Sequence, residues 1–430
     1  MSKEKGNMMV PNLRFSGFES NWEEKTIEDF FDVGSSKRVL EEDWTDTGVP
    51  FYRTRELVSL SKNEPFKNEI FISEELFSEL SEKYGLPTEG DFLVSGVGTL
   101  GISYQVKKGD RFYFKDGNVL WFKLKDGIAS NFFKYCFQSE IIQKQIFGQA
   151  AISTVGTYTI QNAKKTKFFS PKDITEQQKI ASCLSSLDDL ITAHTQKLDA
   201  LKAHKKGLMQ QLFPAEGEKT PKLRFEEFKD NWTKKRLSDL IDLQSGYAFQ
   251  SEYFSNRGSK LVTPKNFTKE GDGNFTDENT KFTTEEVDSK YLCKAGDLLL
   301  LLTDLTPTCE LLGRPLLLKI EDGAVLLNQR IAKIVPKESI EIPFLHSFFS
   351  TDIFHKRITD TATGSTVRHS SNSTVLNTEL LVPSKEEQQK IATCFSSLDK
   401  IIKEQTEKIE QLKRHKKGLM QGLFPNIITQ

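Results

Sequence analysis

The chain has 430 residues, which is enough for two or three domains that each bury a core. Its 59 Lys and Arg residues are balanced by 60 Asp and Glu residues, and this net charge of −1 argues against a protein that coats nucleic acid or membrane by charge alone. The sequence shows no signal core, no membrane-length apolar run and no CxxC pair, so we expect a soluble, cytoplasmic protein with reduced, buried thiols at Cys136, Cys183, Cys293, Cys309 and Cys394.

The first half of the chain opens with a short motif and continues as strands and turns. "PNLRFSGFESNW" occupies residues 11–22, and the runs "GDFLVSG" (90–96) and "NVLWFKL" (118–124) are typical of β-strands between turns. A shorter helix is predicted over about 130–147. Together these elements predict an α/β domain over residues 1–170.

The segment "GVGTLG" at 96–101 fits the G-x-G-x-x-G pattern of dinucleotide-binding loops. That pattern holds a pyrophosphate only where a helix follows, because the helix N-terminus supplies the N–H groups. Here "ISYQV" follows, and its alternation predicts a second strand. We interpret the glycines as the turn of a β-hairpin.

A long helix is predicted next, over residues 171–214. Pro171 precedes it, Asp173 and Thr175 offer N-cap oxygens, and Pro214 ends it. Its apolar residues follow the strict 4,3 spacing of a coiled-coil seam, not the wider face of a helix that lies on a globular core. The seam residues are Ile180, Leu184, Leu187, Ile191, His194, Leu198 and Leu201, followed in register by Lys205, Leu208 and Leu212.

The second half of the chain repeats this plan. "EQQKIA", "SSLD" and "HKKGLMQ" of the first long helix all return at an offset of 211, and "PKLRFEEFKDNW" at 221–232 answers the opening motif. A shorter helix is again predicted, over about 342–359, and the runs "GDLLLLL" and "AKIVP" predict strands. By contrast, residues 33–127 and 243–340 show almost no mutual identity. Constant helices therefore alternate with variable domains, and the sequence predicts a second domain over 215–382 and a second long helix over 383–430.

The two long helices have matching seams. The second seam comprises Ile391, Phe395, Leu398, Ile402, Gln405, Ile409 and Leu412, followed by Lys416. Matched seams on one chain favour mutual pairing over two helices that each pack within a separate domain. A parallel pair would place Lys205 against Lys416, and both would lose water without a counter-ion. An antiparallel pair separates these lysines by roughly 27 Å and brings His194 and Gln405 into neighbouring layers. We therefore predict an antiparallel coiled coil with pseudo-two-fold symmetry.

Sequence motifs for catalysis are missing. The sequence contains no G-x-x-x-x-G-K-[ST] phosphate loop, no H-E-x-x-H, no G-x-S-x-G, no N-P-P-[YF] and no convincing P-D…[DE]-x-K. We therefore expect no active site and no metal site in this chain.

The repeated "P…EQQKIA…SSLD…HKKGLMQ.LFP" segments and the "P.LRF..F...W" openings resemble the DNA-specificity (S) subunit of type I restriction–modification systems, over the whole chain. The resemblance implies two target-recognition domains that each read one half of a split, asymmetric DNA target, held apart by the coiled coil. It implies a non-catalytic subunit that docks two methyltransferase (modification) subunits and restriction/translocase subunits. S-adenosylmethionine, ATP and Mg then belong to these partners, and this subunit binds no cofactor.

The resemblance also implies why "HKKGLMQ" stands at both 204–210 and 415–421. The spacer and the docking surface must be presented twice, once to each modification subunit. The exposed members of this segment either serve the partner, contact phosphate, or only solvate a helix face; they are His204, Lys206, His415 and Lys417.

Direct readout of DNA bases needs side chains that can form paired hydrogen bonds in the major groove. Aligning "FYRTREL" (51–57) with "LVTPKNF" (261–267) places Arg55 over Lys265, while "NQR" lies at 328–330. The loops "STVGTY" (153–158) and "STVRHS" (365–370) follow corresponding helices; shared Ser and Thr suggest phosphate contact, and Arg368 suggests base readout. For each arginine a surface salt bridge is the alternative. The candidates are Arg53, Arg55, Thr154, Tyr158, Lys265, Gln329, Arg330, Thr366 and Arg368.

The predicted recognition domains are not basic. Residues 1–170 contain 22 Lys and Arg against 24 Asp and Glu, and residues 215–382 contain 22 against 25. Since DNA-binding domains are usually basic, we expect weak DNA affinity for the isolated chain. The alternative function is a stand-alone coiled-coil DNA-binding or scaffold protein. A stand-alone DNA-binding protein would need a basic recognition helix, which the sequence does not show. A scaffold protein would not need two divergent domains.

Overall fold

The computed structural model describes residues 10–62, 64–115, 117–150, 156–304, 306, 308–364 and 367–425, without the side chains of residues 149 and 150. The chain forms two compact units. The first unit comprises Met1–Thr195 and Glu407–Gln430, and the second comprises Gln196–Thr406. Each long helix thus contributes residues to both units. The boundaries predicted at residues 170, 214 and 382 separate globular domains from long helices, whereas the two compact units divide the chain within the long helices. The predicted domain boundaries therefore stay a prediction.

The first unit combines strands, short helices and the start of a long helix. Its strands are β1 (Glu23–Thr26), β2 (Phe31–Ser35), β3 (Trp44–Thr45), β4 (Val49–Tyr52), β5 (Phe71–Ile72), β6 (Phe92–Ser95), β7 (Ser103–Gln105), β8 (Tyr113–Phe114), β9 (Val119–Leu124) and β10 (Lys167–Ser170). Its helices are α1 (Ile27–Phe30), α2 (Thr54–Lys62), α3 (Glu74–Tyr84), α4 (Ser130–Phe137), α5 (Glu140–Ala150), α6 (Ile160–Lys165) and α7 (Ile174–Leu212), the last of which continues into the second unit.

Two sheets form the body of the first unit. One has the strand order β2-β9-β6-β7 and the other the order β3-β5-β4-β8, in which β4 and β8 are parallel. All residues of β6 are buried, as expected for an apolar strand paired on both sides. The predicted β-hairpin is confirmed, because β6 and β7 pair antiparallel with Val94 opposite Ser103. In the connecting turn, Gly98 and Gly101 have φ angles of +78° and +70°, which glycine adopts without steric cost.

The second unit repeats most of these elements in the same order, but no α-helix among its described residues corresponds to α2 or α3. Its strands are β11 (Thr233–Arg236), β12 (Ile241–Ser245), β13 (Phe254–Ser255), β14 (Ser259–Val262), β15 (Lys281–Thr283), β16 (Leu292–Cys293), β17 (Leu298–Leu301), β18 (Thr303–Asp304), β19 (Pro315–Leu317), β20 (Val325–Leu327), β21 (Ile331–Pro336), β22 (Arg368–His369) and β23 (Glu379–Val382). Its helices are α8 (Leu237–Leu240), α9 (Ile342–Phe349), α10 (Asp352–Asp360), α11 (Asn372–Leu376) and α12 (Lys385–Leu423), the last of which continues into the first unit.

The sheets of the second unit follow the topology of the first. The order β12-β21-β17-β19 matches β2-β9-β6-β7, and in the order β13-β15-β14-β20-β16 strands β14 and β20 are parallel, as β4 and β8 are. The opening strand of each unit pairs with the strand before the long helix, β1 with β10 and β11 with β23. The α/β class predicted from the sequence is confirmed, and the two variable segments share one architecture despite their lack of identity.

The prediction of a single shorter helix in each half was wrong. Residues 130–147 form α4 and α5 with a break between them, and residues 342–359 form α9 and α10 with a break at Ser350. The hydroxyl of Thr351 accepts the backbone N–H of Phe354 and so caps a new helix start. Apolar periodicity continues through the break, which is why the sequence pattern did not reveal it.

The long helices were predicted at nearly the right positions. Both span 39 residues, or about 58 Å. Asp173 Oδ1 accepts the N–H of Thr175, so the predicted N-cap of α7 forms, and the hydroxyl of Ser384 accepts the N–H of Glu387 at the start of α12. All fourteen predicted seam residues are buried or half-buried, including His194 and Gln405.

Within each unit the long-helix segments run antiparallel. In the first unit, Leu184 shares a hydrophobic cluster with Leu423, and Asp188 pairs with Lys416. Residue numbers therefore rise along α7 while those of the α12 residues that it contacts fall. In the second unit the rings of Phe213 and Phe395 lie 6.4 Å apart, and Lys205 pairs with Asp399. The predicted antiparallel orientation is therefore confirmed within each unit, and the pseudo-two-fold axis stays a prediction.

Several expected properties can be compared with the structure directly. The five cysteines are free thiols, buried at Cys136, Cys293 and Cys309 and half-buried at Cys183 and Cys394. Across the described part of the chain, neither α7 nor α12 nor another helix combines the length and hydropathy of a membrane span.

Candidate nucleic-acid interface

The opening motif of the first unit docks onto the start of α7. Glu176 is fully buried, and its carboxylate accepts Arg14 Nε and Nη2, both at 2.8 Å, and Trp22 Nε1 at 3.2 Å. A buried carboxylate is stable only when it is paired and hydrogen-bonded, and these donors meet that requirement. The Arg and the Trp of the opening motif therefore hold the Glu of "EQQKIA".

The second unit builds the same cluster from the second copies of the motifs. Glu387 accepts Arg224 Nε and Nη2 at 2.8 Å and Trp232 Nε1 at 3.2 Å. The glutamine after each of these glutamates joins its long helix to the start of a shorter helix. Gln177 Oε1 accepts the N–H of Ala129 before α4, and Gln388 Oε1 accepts the N–H of Glu341 before α9. These repeated residues anchor the helices in the protein and are not exposed for DNA.

The repeated "SSLD" and "HKKGLMQ" segments pair with each other across the copies. Lys416 Nζ lies 2.5 Å from Asp188 Oδ1 in the first unit, and Lys205 Nζ lies 2.5 Å from Asp399 Oδ1 in the second. Each seam lysine thus has a counter-ion, which the sequence reasoning did not identify. The signal was available, because the Asp and the Lys both recur at the offset of 211.

The remaining polar residues of "HKKGLMQ" face solvent. His204, Lys206, His415 and Lys417 are exposed, and Lys206 lies 3.5 Å from Asp352 in a pair that is mostly hydrated. Exposed pairs of this kind contribute about 0–1 kcal/mol, so this pair adds little to the stability of the fold. Their role in docking stays a prediction.

A corner after β4 holds two of the predicted DNA-contacting arginines. The carboxylate of Glu56 accepts the backbone N–H, Nε and Nη2 of Arg53 and the Nε of Arg55, at 2.6 to 3.1 Å. The side chain of Arg53 is 17% exposed and lies over the ring of Trp44, while that of Arg55 is 52% exposed. Burial by itself raises the pKa of Glu56, but hydrogen bonds from Arg53 and Arg55 outweigh it, so the pKa lies below its ordinary value. Sequence reasoning missed Glu56.

The corresponding corner of the second unit follows β14. Asn266 is fully buried, and its Oδ1 accepts the N–H and the hydroxyl of Thr263 at 2.7 and 3.0 Å. Its Nδ2 donates to the backbone oxygens of Asn274 and Asn279. Lys265, at the position of Arg55, is exposed. The alignment of "FYRTREL" with "LVTPKNF" therefore matches equivalent places in the two units.

Two further candidates lie on the turn between β20 and β21. Gln329 is exposed, and its backbone N–H donates to the carbonyl of Tyr247. Arg330 is half-buried, and its backbone N–H donates to Asn328 Oδ1. Arg368 lies on β22, which pairs with β18, and its Nη1 donates to the carbonyl of Gly364 at 3.2 Å. The backbone at Gln329 and Arg330 is thus held in place, and of the three side chains that of Arg368 is bonded to a backbone oxygen. DNA contact by these residues stays a prediction.

Tyr158 is a correction. Its side chain is 1% exposed, and its hydroxyl lies 2.8 Å from Thr166 Oγ1 inside the core of the first unit. Burial raises the pKa of this phenol, as expected for a group that water does not reach. Tyr158 is therefore a core residue, and sequence reasoning placed it on a surface loop because the loop before it is polar. Thr154 and Thr366 lie outside the described residues.

The described residues contain no group of three or more His, Cys, Asp and Glu side chains that could hold a metal ion.

Comparison with known proteins assigns this architecture to a family. A model described as the type I restriction modification DNA specificity domain matches residues 19–203 and again residues 229–414. The chain therefore belongs to this family and carries its domain twice.

Relatives of the chain are specificity subunits. It is 28% identical over 259 residues to the type I restriction enzyme MjaVIII specificity subunit of Methanocaldococcus jannaschii, which is 58% of this chain and 59% of the relative. It is 32% identical over 167 residues to the putative specificity subunit S.HindORF215P of Haemophilus influenzae, 39% and 40% of the two chains. These matches thus span about three fifths and two fifths of the relatives' length. The putative MjaX specificity subunit of M. jannaschii is 22% identical over 432 residues, 94% and 93% of the two chains.

Solved structures share the fold. The S subunit of the type I restriction–modification system from M. genitalium has a TM-score of 0.57 at 16% identity, covering 97% of this chain and all of that one. A chain from a structure on complex assembly and conformational transition of the type I R-M system has a TM-score of 0.57 at 12% identity, covering 93% and 96%. At these identities the likeness concerns the fold alone.

Proposed function

We propose that the chain reads a bipartite, asymmetric DNA target, with one half-site for each unit. The observation that supports this most directly is the corner after β4 and β14. Both units make the same side-chain-to-backbone hydrogen bond there, with Glu56 accepting the N–H of Arg53 and Asn266 accepting that of Thr263, although α2 follows in one unit and only a short 3-10 turn in the other. Arg55 and Lys265 occupy the equivalent exposed position. Equivalent exposed positions that carry different polar side chains suit two domains that recognise different base sequences.

The chain acts as the non-catalytic specificity subunit of a type I complex in the cytoplasm. In this proposal it docks two methyltransferase subunits and the restriction/translocase subunits, which bind S-adenosylmethionine, ATP and Mg. The exposed residues of the two "HKKGLMQ" copies belong to equivalent positions on α7 and α12, as a twice-used docking surface requires. Their partner has to supply much of the DNA affinity, because the two recognition segments carry net charges of −2 and −3.

The proposal is tested by mapping methylated adenines in cells that express the chain with its modification subunits. Arg368→Ala and Gln329→Ala, both in the second unit, should relax base preference in one half-site and leave the other unchanged, because each contacts only its own half-site. Lys356→Ala, an exposed lysine on α10, serves as the matched control and should leave both half-sites unchanged.

Two results would contradict the proposal. If either substitution blurred both half-sites, the assignment of one unit to one half-site would be wrong. If the purified chain did not retain a methyltransferase subunit on affinity capture, in a ratio of one to two, the docking role would be wrong.

A further inference from the structure

The corner after β4 is built around a saturated carboxylate. Glu56 is 3% exposed and receives N–H donors on both oxygens: Oε2 from the backbone and Nε of Arg53, Oε1 from Arg53 Nη2 and Arg55 Nε. A carboxylate has about four lone-pair sites, so Glu56 has no capacity left for another ligand. Its effect is to hold two guanidinium groups side by side.

Arg55 is fixed at one end and open at the other. Its Nε is held by Glu56 at 2.6 Å, and its Nη2 donates to the backbone oxygen of Asn68 at 3.0 Å. No described residue accepts a hydrogen bond from Nη1, and the side chain is 52% exposed. Because a guanidinium is planar and rigid, two fixed nitrogens set the direction in which the free donors point. Arg53, by contrast, donates both its Nε and its Nη2 to Glu56, is only 17% exposed and supports the corner from within.

Helix capping does not explain the arginines. In the second unit the neutral Asn266 makes the equivalent bond, since its Oδ1 accepts the N–H of Thr263 as Glu56 Oε2 accepts that of Arg53, although a short 3-10 turn stands there in place of α2. This hydrogen bond therefore needs neither a carboxylate nor a guanidinium. The two arginines and one carboxylate add a net charge of +1 at this corner, within a segment whose net charge is −2.

We propose that Arg55 reads a guanine in the half-site recognised by the first unit, and that Glu56 is the positioning residue that orients it. The inference rests on the proposed function, in which the first unit contacts its own half-site. Guanine presents two acceptors, O6 and N7, in the major groove, and these match the paired donors of a guanidinium. Adenine replaces O6 with an amino donor, so a fixed guanidinium loses one hydrogen bond and meets a like dipole.

The test uses the methylated-site consensus of the assembled complex, with three variants at fixed salt. Arg55→Gln should change one guanine of one half-site to adenine, since a glutamine amide pairs with adenine N6 and N7. Glu56→Gln should relax the same position, because Arg55 is no longer held; preference for guanine should fall by about 5- to 150-fold. Glu75→Gln, an exposed change of the same charge on α3, should leave the consensus unchanged.

Several outcomes would overturn the inference. A wild-type consensus with no G·C pair in one half-site would exclude it, and so would an Arg55→Gln variant that methylates less without changing base preference, because Arg55 would then contact phosphate. If Glu56→Gln kept full preference for guanine, the positioning role would be wrong. If Glu56→Gln abolished methylation altogether, Glu56→Asp, which keeps the charge, must restore methylation with a relaxed guanine position. A change in both half-sites would instead contradict the proposed function.

Discussion

Reversing the ion pair between Lys205 and Asp399 should reveal how strongly the antiparallel register is held. Lys205→Asp places two carboxylates together, Asp399→Lys places two ammonium groups together, and the double variant restores an ion pair with its sign exchanged. We expect each single variant to destabilise the second unit and the double variant to recover most of the loss. Because both helices keep their length, only the charge pattern changes.

The magnitude follows from the burial of the pair. Unit charges about 4 Å apart attract by about 4 kcal/mol at an effective dielectric constant near 20, and desolvation offsets part of this. Exposed pairs contribute about 0–1 kcal/mol, and breaking a buried pair costs about 3–5 kcal/mol. Lys205 and Asp399 are 14% and 33% exposed, between these cases. We therefore expect a coupling free energy of about 1–2 kcal/mol, which corresponds to about 2–8 °C in Tm for a unit of this size.

The measurement is a double-mutant cycle by urea denaturation of the purified chain, repeated in high salt. The cycle removes the intrinsic helix preference of each new residue, because that contribution appears in both the single and the double variant. Lys416 and Asp188 offer a matched cycle in the first unit, where the pair is 21% and 31% exposed. A coupling free energy below about 0.3 kcal/mol would refute the reasoning. So would a double variant whose loss in free energy of unfolding is as large as the losses of the two single variants added together.

Three further predictions follow from the same geometry. Cysteines at Leu184 and Leu419, in a background with Cys183 and Cys394 changed to Ser, should form a disulfide on oxidation, whereas efficient bridging of Leu184 to Phe395 would show parallel helices. Inserting four residues after both Thr195 and Thr406 should lengthen each helix by about 6 Å and widen the gap between methylated half-sites. Both insertions lie at the boundary between the units, so each Lys–Asp pair stays within its own unit. An unchanged gap would show that the helices do not set the distance between the half-sites. Glu176→Ala should destabilise the first unit by about 3–5 kcal/mol, since it removes the counter-ion of Arg14 and leaves Arg14 Nε and Trp22 Nε1 without their acceptor; denaturation of the matched Glu387→Ala variant should show an equal loss in the second unit.

Elements with a strong local pattern were predictable from the sequence. The seam spacing, the prolines that flank it and the N-cap side chains all act between residues close in the chain, so both long helices were predicted. The hairpin at 96–101 was predictable for the same reason. The break between α9 and α10 was not, because apolar periodicity continues through it and the choice depends on how the two helices pack.

The candidate site shows the limits of the sequence more sharply. Residue types suggested Arg53 and Arg55, yet their common anchor, Glu56, is recognisable only from its burial and its four donors. Tyr158 was misplaced because a polar loop precedes it, while its side chain fills the core.

The sequence by itself determined that the chain is a tandem repeat with constant helices, variable domains and an antiparallel seam, because repeats and periodicity are properties of order along the chain. Only the tertiary structure showed which contacts the repeated residues make. Glu176 binds residues more than 150 positions away, and Asp188 pairs with Lys416 at a separation of 228. Such contacts depend on which surfaces meet when apolar area is buried, and a buried charge then requires a partner wherever in the chain that partner lies.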